Sequence, residues 1–96
     1  MPKVTNVRKD KLSEEGTHHY KWDVIDGKKQ GTFYTNEKGK NIWIEKKSGI
    51  NHQIWSEDLV FNSQLKININ KNTTNKTIEN DVQKFADQHI FDKWLE

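Results

Sequence analysis

Short runs rich in aromatic and β-branched residues alternate with glycine-marked turns over residues 20–56. Such residues favour the half-buried surface of a β-sheet, whereas Gly, Asn and Asp favour the turns between strands. The pattern therefore predicts four antiparallel strands joined by tight turns. The four runs are Tyr20–Ile25, Gly31–Thr35, Asn41–Glu45 and Asn51–Trp55.

The faces of the predicted strands follow from the alternation of side chains along an extended backbone. In the first run, Tyr20, Trp22 and Val24 share one face, and Lys21, Asp23 and Ile25 share the other. In the next two runs, Phe33 falls opposite Tyr34, and Ile42 and Ile44 fall opposite Trp43. The core must take Trp22 together with either Trp43 or the Ile42/Ile44 pair, and the pattern leaves that choice open.

The segments around these strands carry weaker patterns. Residues 1–16 are expected to form an N-terminal arm or edge strand, with a short strand at Val4–Val7 and a charged, turn-like stretch from Lys9 to Gly16. Lys66–Ile69 alternates polar and apolar residues, so it predicts a fifth strand with one wet face. Residues 70–76 predict a polar loop.

The last segment, Thr77–Leu95, has the apolar spacing of an amphipathic helix. Thr77 suits the N-cap, and Glu79 and Asp81 would lie in the first turn near the positive end of the helix dipole. Phe91 and Leu95 fall off the apolar stripe, so the apolar face is expected to widen towards the end of the helix.

These elements predict one α+β domain over residues 1–96. The sheet, residues 17–69, would be an antiparallel meander of four to five strands, with the helix of residues 77–95 packed on one face. Two versions of this architecture stay open. The sheet either curls into a small SH3-like or OB-like barrel, or forms the open layer of a two-layer sandwich.

Composition sets the size and chemistry of the core. Only 31% of the 96 residues are hydrophobic, so the core must depend on the ten aromatic residues. The chain has no cysteine, which excludes disulfides and thiolate metal sites. It shows no secretory signal and no apolar run long enough to cross a membrane, so we expect a cytoplasmic protein without a membrane contact.

No motif in the chain names a reaction. The four histidines lack the spacing of a zinc site, and no nucleophile elbow or phosphate-binding loop occurs. Gly27, Gly31, Gly39 and Gly49 are explained by the predicted turns. We therefore expect no catalytic activity, no cofactor and no bound metal.

Protein binding is the function that the pattern favours. Apolar residues occur on both faces of several strands, and one helix can cover only one face. An apolar patch rimmed by charge is typical of protein-interaction surfaces. This predicts a small inhibitor or accessory protein of bacterial or phage type that occupies a partner's surface. The predicted anchors are Phe33, Tyr34, Trp43 and Trp55, with Lys46 and Lys47 as rim charges.

Two further interactions follow from the same residues. The apolar end of the helix, with Phe91, Trp94 and Leu95, suggests self-association into a homodimer.

The alternative function is binding of single-stranded DNA or RNA, because aromatics interleaved with lysines can stack on bases and neutralise phosphates. That alternative uses the same aromatic residues together with Lys21, Lys40, Lys46 and Lys47. The net charge of +2 is too small to decide between the two functions.

Overall fold

Five antiparallel strands in chain order form one layer of the structure, and a C-terminal helix forms the other. The computed structural model describes residues 1–12, 18–35, 42–45, 51–53, 67, 69–70 and 72–96. The strands are β1 (Lys3–Leu12), β2 (His18–Asp26), β3 (Lys29–Thr35), β4 (Ile42–Glu45) and β5 (Asn51–Gln53), and the helix is α1 (Asn75–Asp87), followed by a 3-10 turn at Asp92–Trp94. The α+β class, the antiparallel meander and the C-terminal helix are confirmed.

The described strands form an open sheet. Each strand pairs with its neighbour in the order β1–β2–β3–β4–β5, which leaves β1 and β5 at the two edges. None of the pairings among the described residues joins β1 to β5. Of the two predicted versions, the described part of the chain therefore matches the two-layer sandwich.

The first strand is longer than the sequence predicts. Lys9–Leu12, predicted as part of a turn-like stretch, continues β1, and Lys9 and Leu12 pair with Tyr20 and His18 of β2. The register shifts after Thr5 and after Lys9, and Asn6 has a positive φ of 55°. Bulges of this kind let a charged, irregular sequence stay paired to its neighbour, which a propensity argument cannot foresee.

The β2–β3 hairpin turns within two residues. Asp26 pairs with Lys29, so only Gly27 and Lys28 lie between the strands. Gly27 has a φ of 63°, which suits the first central position of a type II′ turn. The strand predicted at Gly31–Thr35 therefore begins two residues earlier, at Lys29.

The core lies between the helix and one face of the sheet. It contains Tyr20, Trp22 and Val24 from β2, Phe33 from β3, and Ile42 and Ile44 from β4. The helix contributes Ile78, Val82 and Ala86. The face assignments predicted for these strands are confirmed, and the open choice is resolved because Ile42 and Ile44, rather than Trp43, are buried.

The fifth strand of the described sheet is not the one predicted at residues 66–69 but β1, at the edge, which includes the short strand predicted at Val4–Val7. Ile67 and Ile69, the described residues of the predicted strand 66–69, lie outside regular secondary structure. Ile67 is nonetheless buried in the core. The fifth strand is supplied by β1.

The helix begins earlier and ends earlier than predicted. Thr74, not Thr77, is the N-cap, and its side-chain oxygen accepts a hydrogen bond from the Thr77 N–H. With this start, no acidic residue lies in the first turn. The helix ends at Asp87, and His89 adopts a positive φ of 62°.

The early end of the helix carries its last apolar residues into the core. At 3.6 residues per turn, a continuous helix would place Phe91 about 180° from Val82, facing away from the sheet. The break turns the chain back, and Phe91 becomes fully buried, with its ring centroid 4.8 Å from that of Phe33. The chain then joins the sheet, because Glu96 and Gln30 exchange two backbone hydrogen bonds of 3.0 Å each.

Candidate functional site

The face of the sheet opposite the helix carries a row of side chains that crosses four strands. Strand pairing aligns Arg8 with Lys21, Lys21 with Tyr34, and Tyr34 with Trp43. On β5, Gln53 occupies the next register position. We call the face that carries this row the outer face, and define it by the row and by the parallel row Thr5, Asp23, Thr32 and Glu45.

An aromatic pair lies at the centre of the outer face. The rings of Tyr34 and Trp43 are nearly parallel, with an angle of 13° between their planes and 5.8 Å between their centroids. Directly opposed residues on neighbouring antiparallel strands lie close enough for such stacking. Both side chains are partly exposed, because α1 packs on the other side of the sheet.

The cations of the outer face are held close to carboxylates. Lys21 Nζ lies 2.7 Å from Glu45 Oε1 and 5.8 Å from the centroid of the Tyr34 ring. Arg8 Nη1 lies 3.6 Å from Asp23 Oδ1. Both pairs are partly exposed, so each adds little to stability, but together they make the centre of the face nearly neutral.

Asp23 organises the polar row beside the aromatic pair. Its Oδ1 accepts a hydrogen bond of 2.9 Å from the Thr32 hydroxyl, and its Oδ2 accepts one of 3.2 Å from Asn6 Nδ2. The Asn6 carbonyl in turn accepts a hydrogen bond of 2.8 Å from Arg8 Nη1. Asn6, which has a positive φ, is therefore part of a hydrogen-bond network that connects the bulge in β1 to β2 and β3.

The turn end of the outer face is apolar and basic. Ile25 is 38% exposed, and with Met1 it is one of the two large hydrophobic side chains exposed among the described residues. Lys3 lies opposite Ile25 across the β1–β2 pairing, and Lys28 is exposed in the adjoining turn. The Met1 ammonium lies 3.3 Å from Asp26 Oδ1.

The structure separates the predicted anchors. Tyr34 and Trp43 lie together on the outer face, whereas Phe33 is fully buried beneath it and is not accessible to a partner in this conformation, so the prediction of Phe33 as an anchor is wrong. Lys21 lies beside the aromatic pair. The predicted site residues Lys40, Lys46, Lys47 and Trp55 lie outside the described residues.

The residues predicted for self-association belong largely to the core. Phe91 is fully buried and Leu95 is 8% exposed. Trp94 is partly buried against the same core, and Lys93 Nζ lies 5.3 Å from the centroid of its ring. The premise of an exposed apolar end of the helix is therefore wrong for Phe91 and Leu95.

Three residues of the outer face were not predicted as site residues. Arg8, Asp23 and Glu45 take part in its charge pairs, but only the register of β1, β2 and β4 brings them together. The alternation of β2 places Asp23 on the wet face from sequence alone, which was the one available signal. The sequence pattern could not predict the position of Arg8 on this face, because that position depends on the bulge after Thr5.

Other kinds of site find little support in the described residues. A small open pocket of about 70 Å³ lies between β3, β4 and Trp94, far below the several hundred Å³ typical of ligand sites. In the described part of the chain, no three metal-ligating side chains lie close enough together to hold an ion. Within the same residues, no helix has the length and apolar character needed to cross a membrane.

A pKa shift of a described residue lies away from the outer face, in the core. Burial raises the pKa of the Tyr20 phenol above its ordinary value of 10.0. The Tyr20 hydroxyl donates a hydrogen bond of 2.9 Å to the Thr73 carbonyl in the core. Its role is structural, because it ties the loop before α1 to β2.

Comparison with known proteins does not assign this chain to a family. No protein-family model matches it, and neither a curated protein nor a solved structure is significantly similar to it.

Proposed function

We propose that this protein is a non-catalytic protein-binding module that acts by occupying a partner's surface with its outer face. The observation that carries the proposal is the stacked Tyr34–Trp43 pair, which is partly exposed on the side of the sheet away from the helix. Tyr and Trp are the residues most often found to dominate binding energy at protein interfaces.

The aromatic pair is supported by contacts within the protein itself. Each ring is held by the other, and Tyr34 is also held by Lys21 on the neighbouring strand. Side chains that are already ordered lose little conformational entropy on binding. The surrounding charge pairs supply the polar rim that is usual around an apolar interface centre.

Two features favour a protein over a nucleic acid as the partner. In the row across the sheet, the Tyr34 ring contacts Trp43 on one side and Lys21 on the other. A base needs an open ring face for stacking, whereas an apolar side chain can pack against the edges of the two rings. The cations Lys21 and Arg8 are also paired with carboxylates, and Asp23 and Glu45 would repel phosphates. Single-stranded nucleic-acid binding therefore remains the alternative function.

The experiment that tests the proposal is affinity capture from a lysate of the source cells. The bait proteins are the wild type, Trp43→Ala, Tyr34→Ala and the control Lys84→Ala, which changes an exposed position on the helix. We expect a defined protein to be captured by the wild type and the control. We expect both aromatic variants to retain it at least about tenfold less, because truncation of an interface anchor commonly costs about 2 kcal/mol or more.

Two controls make the result decisive. Thermal unfolding checks that each variant is folded, and nuclease treatment of the lysate separates the two kinds of partner. The proposal is wrong if folded Trp43→Ala and Tyr34→Ala capture the partner as well as the wild type. It is also wrong if nuclease removes the captured material, which would favour the nucleic-acid alternative.

A further inference from the structure

Charge is unevenly divided between the two layers of the structure. The described residues up to Gln53 include seven basic and four acidic residues, which gives a net charge of +3. Residues 72–96 include three basic and five acidic residues, which gives a net charge of −2. The sheet layer is therefore the basic side of the molecule.

The excess positive charge of the sheet layer lies partly at its β2–β3 turn end. Lys3, Lys28 and Lys29 are exposed there, and none of them has an ion-pair partner among the described residues. Of the neighbouring carboxylates, Asp26 pairs with the Met1 ammonium and Asp23 pairs with Arg8, whereas the backbone of Glu96 pairs with Gln30 on the far side of β3. Lys3 lies beside the exposed Ile25 on β1, and Lys28 lies in the turn that follows β2.

We infer that the partner of the outer face presents an extended acidic segment that also carries apolar residues. This inference rests on the proposed function and names the chemistry of the partner. One apolar residue of the segment packs on the Tyr34–Trp43 pair and another on Ile25, and acidic residues between or beyond them pair with Lys3 and Lys28. The two apolar contacts lie about 15 Å apart. Ile25 is four residue steps from Lys21 along β2, at about 3.3 Å each, and Tyr34 and Trp43 lie one and two strands across the sheet from Lys21, at about 4.8 Å for each strand.

A peptide fits this pattern of charges better than a phosphate backbone does. The path from Trp43 to Ile25 passes the carboxylates of Glu45 and Asp23 before it reaches Lys3 and Lys28. A peptide can place neutral residues over the carboxylates and acidic residues over the lysines. A nucleic acid carries a charge at every phosphate and cannot make that distinction.

The test is a charge reversal with a matched control. Lys3→Glu/Lys28→Glu changes the turn end of the outer face, and Lys76→Glu/Lys84→Glu changes two exposed helix positions with the same effect on net charge. Affinity for the captured partner is measured by calorimetry or surface plasmon resonance. At about 0.05 M salt we expect the first variant to bind about tenfold more weakly than the matched control, with the loss mainly in the association rate. The difference should shrink towards about 0.5 M salt, where exposed charges are screened.

A second measurement uses defined probes rather than the captured partner. Two synthetic peptides carry the same pair of apolar residues at the predicted spacing, one with glutamates and one with lysines at the remaining positions. We expect the glutamate peptide alone to shift the backbone amide resonances of Lys3, Ile25 and Lys28 and the indole resonance of Trp43. A short oligothymidylate serves as the nucleic-acid probe.

The outcomes separate this inference from the proposed function. If capture depends on Trp43 but the two charge-reversal variants bind equally well, the proposed function stands and the acidic partner is wrong. If the lysine peptide or the oligothymidylate produces the shifts instead of the glutamate peptide, the inference is likewise overturned. If capture does not depend on Trp43 or Tyr34, the proposed function itself fails, and the inference fails with it.

Discussion

Two glycines of the β2–β3 hairpin are required for different reasons. Gly27 has a positive φ of 63°, and a Cβ added there would meet no atom within 4 Å. Gly31 has no positive φ to accommodate, but a Cβ added there would lie 3.1 Å from Phe33 Cε2 and 3.2 Å from Leu95 Cδ2. The first glycine serves the backbone of a turn, and the second leaves room for Leu95 to pack on the sheet.

Substitution of each glycine should therefore be rescued by a different change. We expect Gly27→Ala to lower the free energy of unfolding by about 1–2 kcal/mol, and Gly27→Asn to recover most of it, because Asn tolerates positive φ. We expect Gly31→Ala to cost about 1–3 kcal/mol through overpacking. In a double-mutant cycle, chemical denaturation should show a smaller cost of Gly31→Ala when Leu95 is already Ala. A cycle with no coupling would contradict this account of Gly31.

The buried phenol of Tyr20 should make the free energy of unfolding fall at high pH. Burial raises the pKa of its phenol above 10.0, so above that pH the unfolded chain releases the proton while the folded protein retains it. The folded state then binds more protons, and stability falls as pH rises. We expect Tyr20→Phe to cost about 1 kcal/mol at neutral pH, through loss of the hydrogen bond to the Thr73 carbonyl.

The same variant should lose stability less steeply above pH 10.0. Denaturation at a series of pH values measures this for the wild type and the variant, and the difference between them removes the shared titration of the lysines. Parallel curves above pH 10.0 would show that Tyr20 does not carry the effect.

At the scale of elements, the helix protects the edge strand of the sheet. Gln83 of α1 presents its amide to β1: the Val4 N–H donates a hydrogen bond of 2.8 Å to Gln83 Oε1, and Gln83 Nε2 donates one of 3.1 Å to the Pro2 carbonyl. The Gln83 side chain thus pairs with the Val4 N–H and the Pro2 carbonyl, backbone groups that a neighbouring strand could otherwise bind. Exposed edge strands invite pairing with other chains, and covering them is a common protection.

Gln83→Ala should therefore weaken β1 selectively. We expect the free energy of unfolding to fall by about 1–2 kcal/mol, because two backbone groups lose their partners. Hydrogen exchange at the Val4 amide should rise more than exchange at amides in β2 and β3. Lys84→Ala, the neighbouring exposed position, should change stability by less than about 0.5 kcal/mol. Unchanged protection of Val4 in Gln83→Ala would contradict this role of the side chain.

For the whole molecule, the segment after α1 closes the core from the end of the sheet. Phe91 packs between the two layers, with ring centroids 6.4 Å from Trp22 and 4.8 Å from Phe33. Leu95 packs over Gly31, and Glu96 pairs with Gln30. This segment is thus part of the fold, and Phe91 and Leu95 are buried within the same molecule.

Leu95→Ala distinguishes core packing from self-association. We expect it to lower the free energy of unfolding by about 2–3 kcal/mol, as removal of a buried leucine side chain does. Sedimentation of the folded variant should match that of the wild type at every concentration tested. Ile25→Ala, at an exposed apolar position, serves as the control and should cost less than about 1 kcal/mol. A concentration-dependent mass that is lost in Leu95→Ala would instead favour the dimer.

The local pattern of this sequence determined the class of the fold and the faces of its central strands. Alternation alone placed Trp22 opposite Lys21 and Phe33 opposite Tyr34, because successive side chains on a strand must point in opposite directions. The same argument put Trp43 opposite Ile42 and Ile44. It left open whether Trp43 or the Ile42/Ile44 pair joins the core. The strand register and the position of α1 decided that Tyr34 and Trp43 meet on the outer face.

Only the tertiary structure decided the features that depend on contacts between distant residues. Lys9–Leu12 is a strand because β2 pairs with it, and α1 ends at Asp87 because Phe91 and Leu95 are buried against the sheet. The charge pairs of Arg8 and Lys21 likewise exist only through the strand register. A residue's own preferences are local, whereas burial and pairing free energies arise when segments far apart in the chain meet, and these larger energies set the ends of the elements and the composition of the outer face.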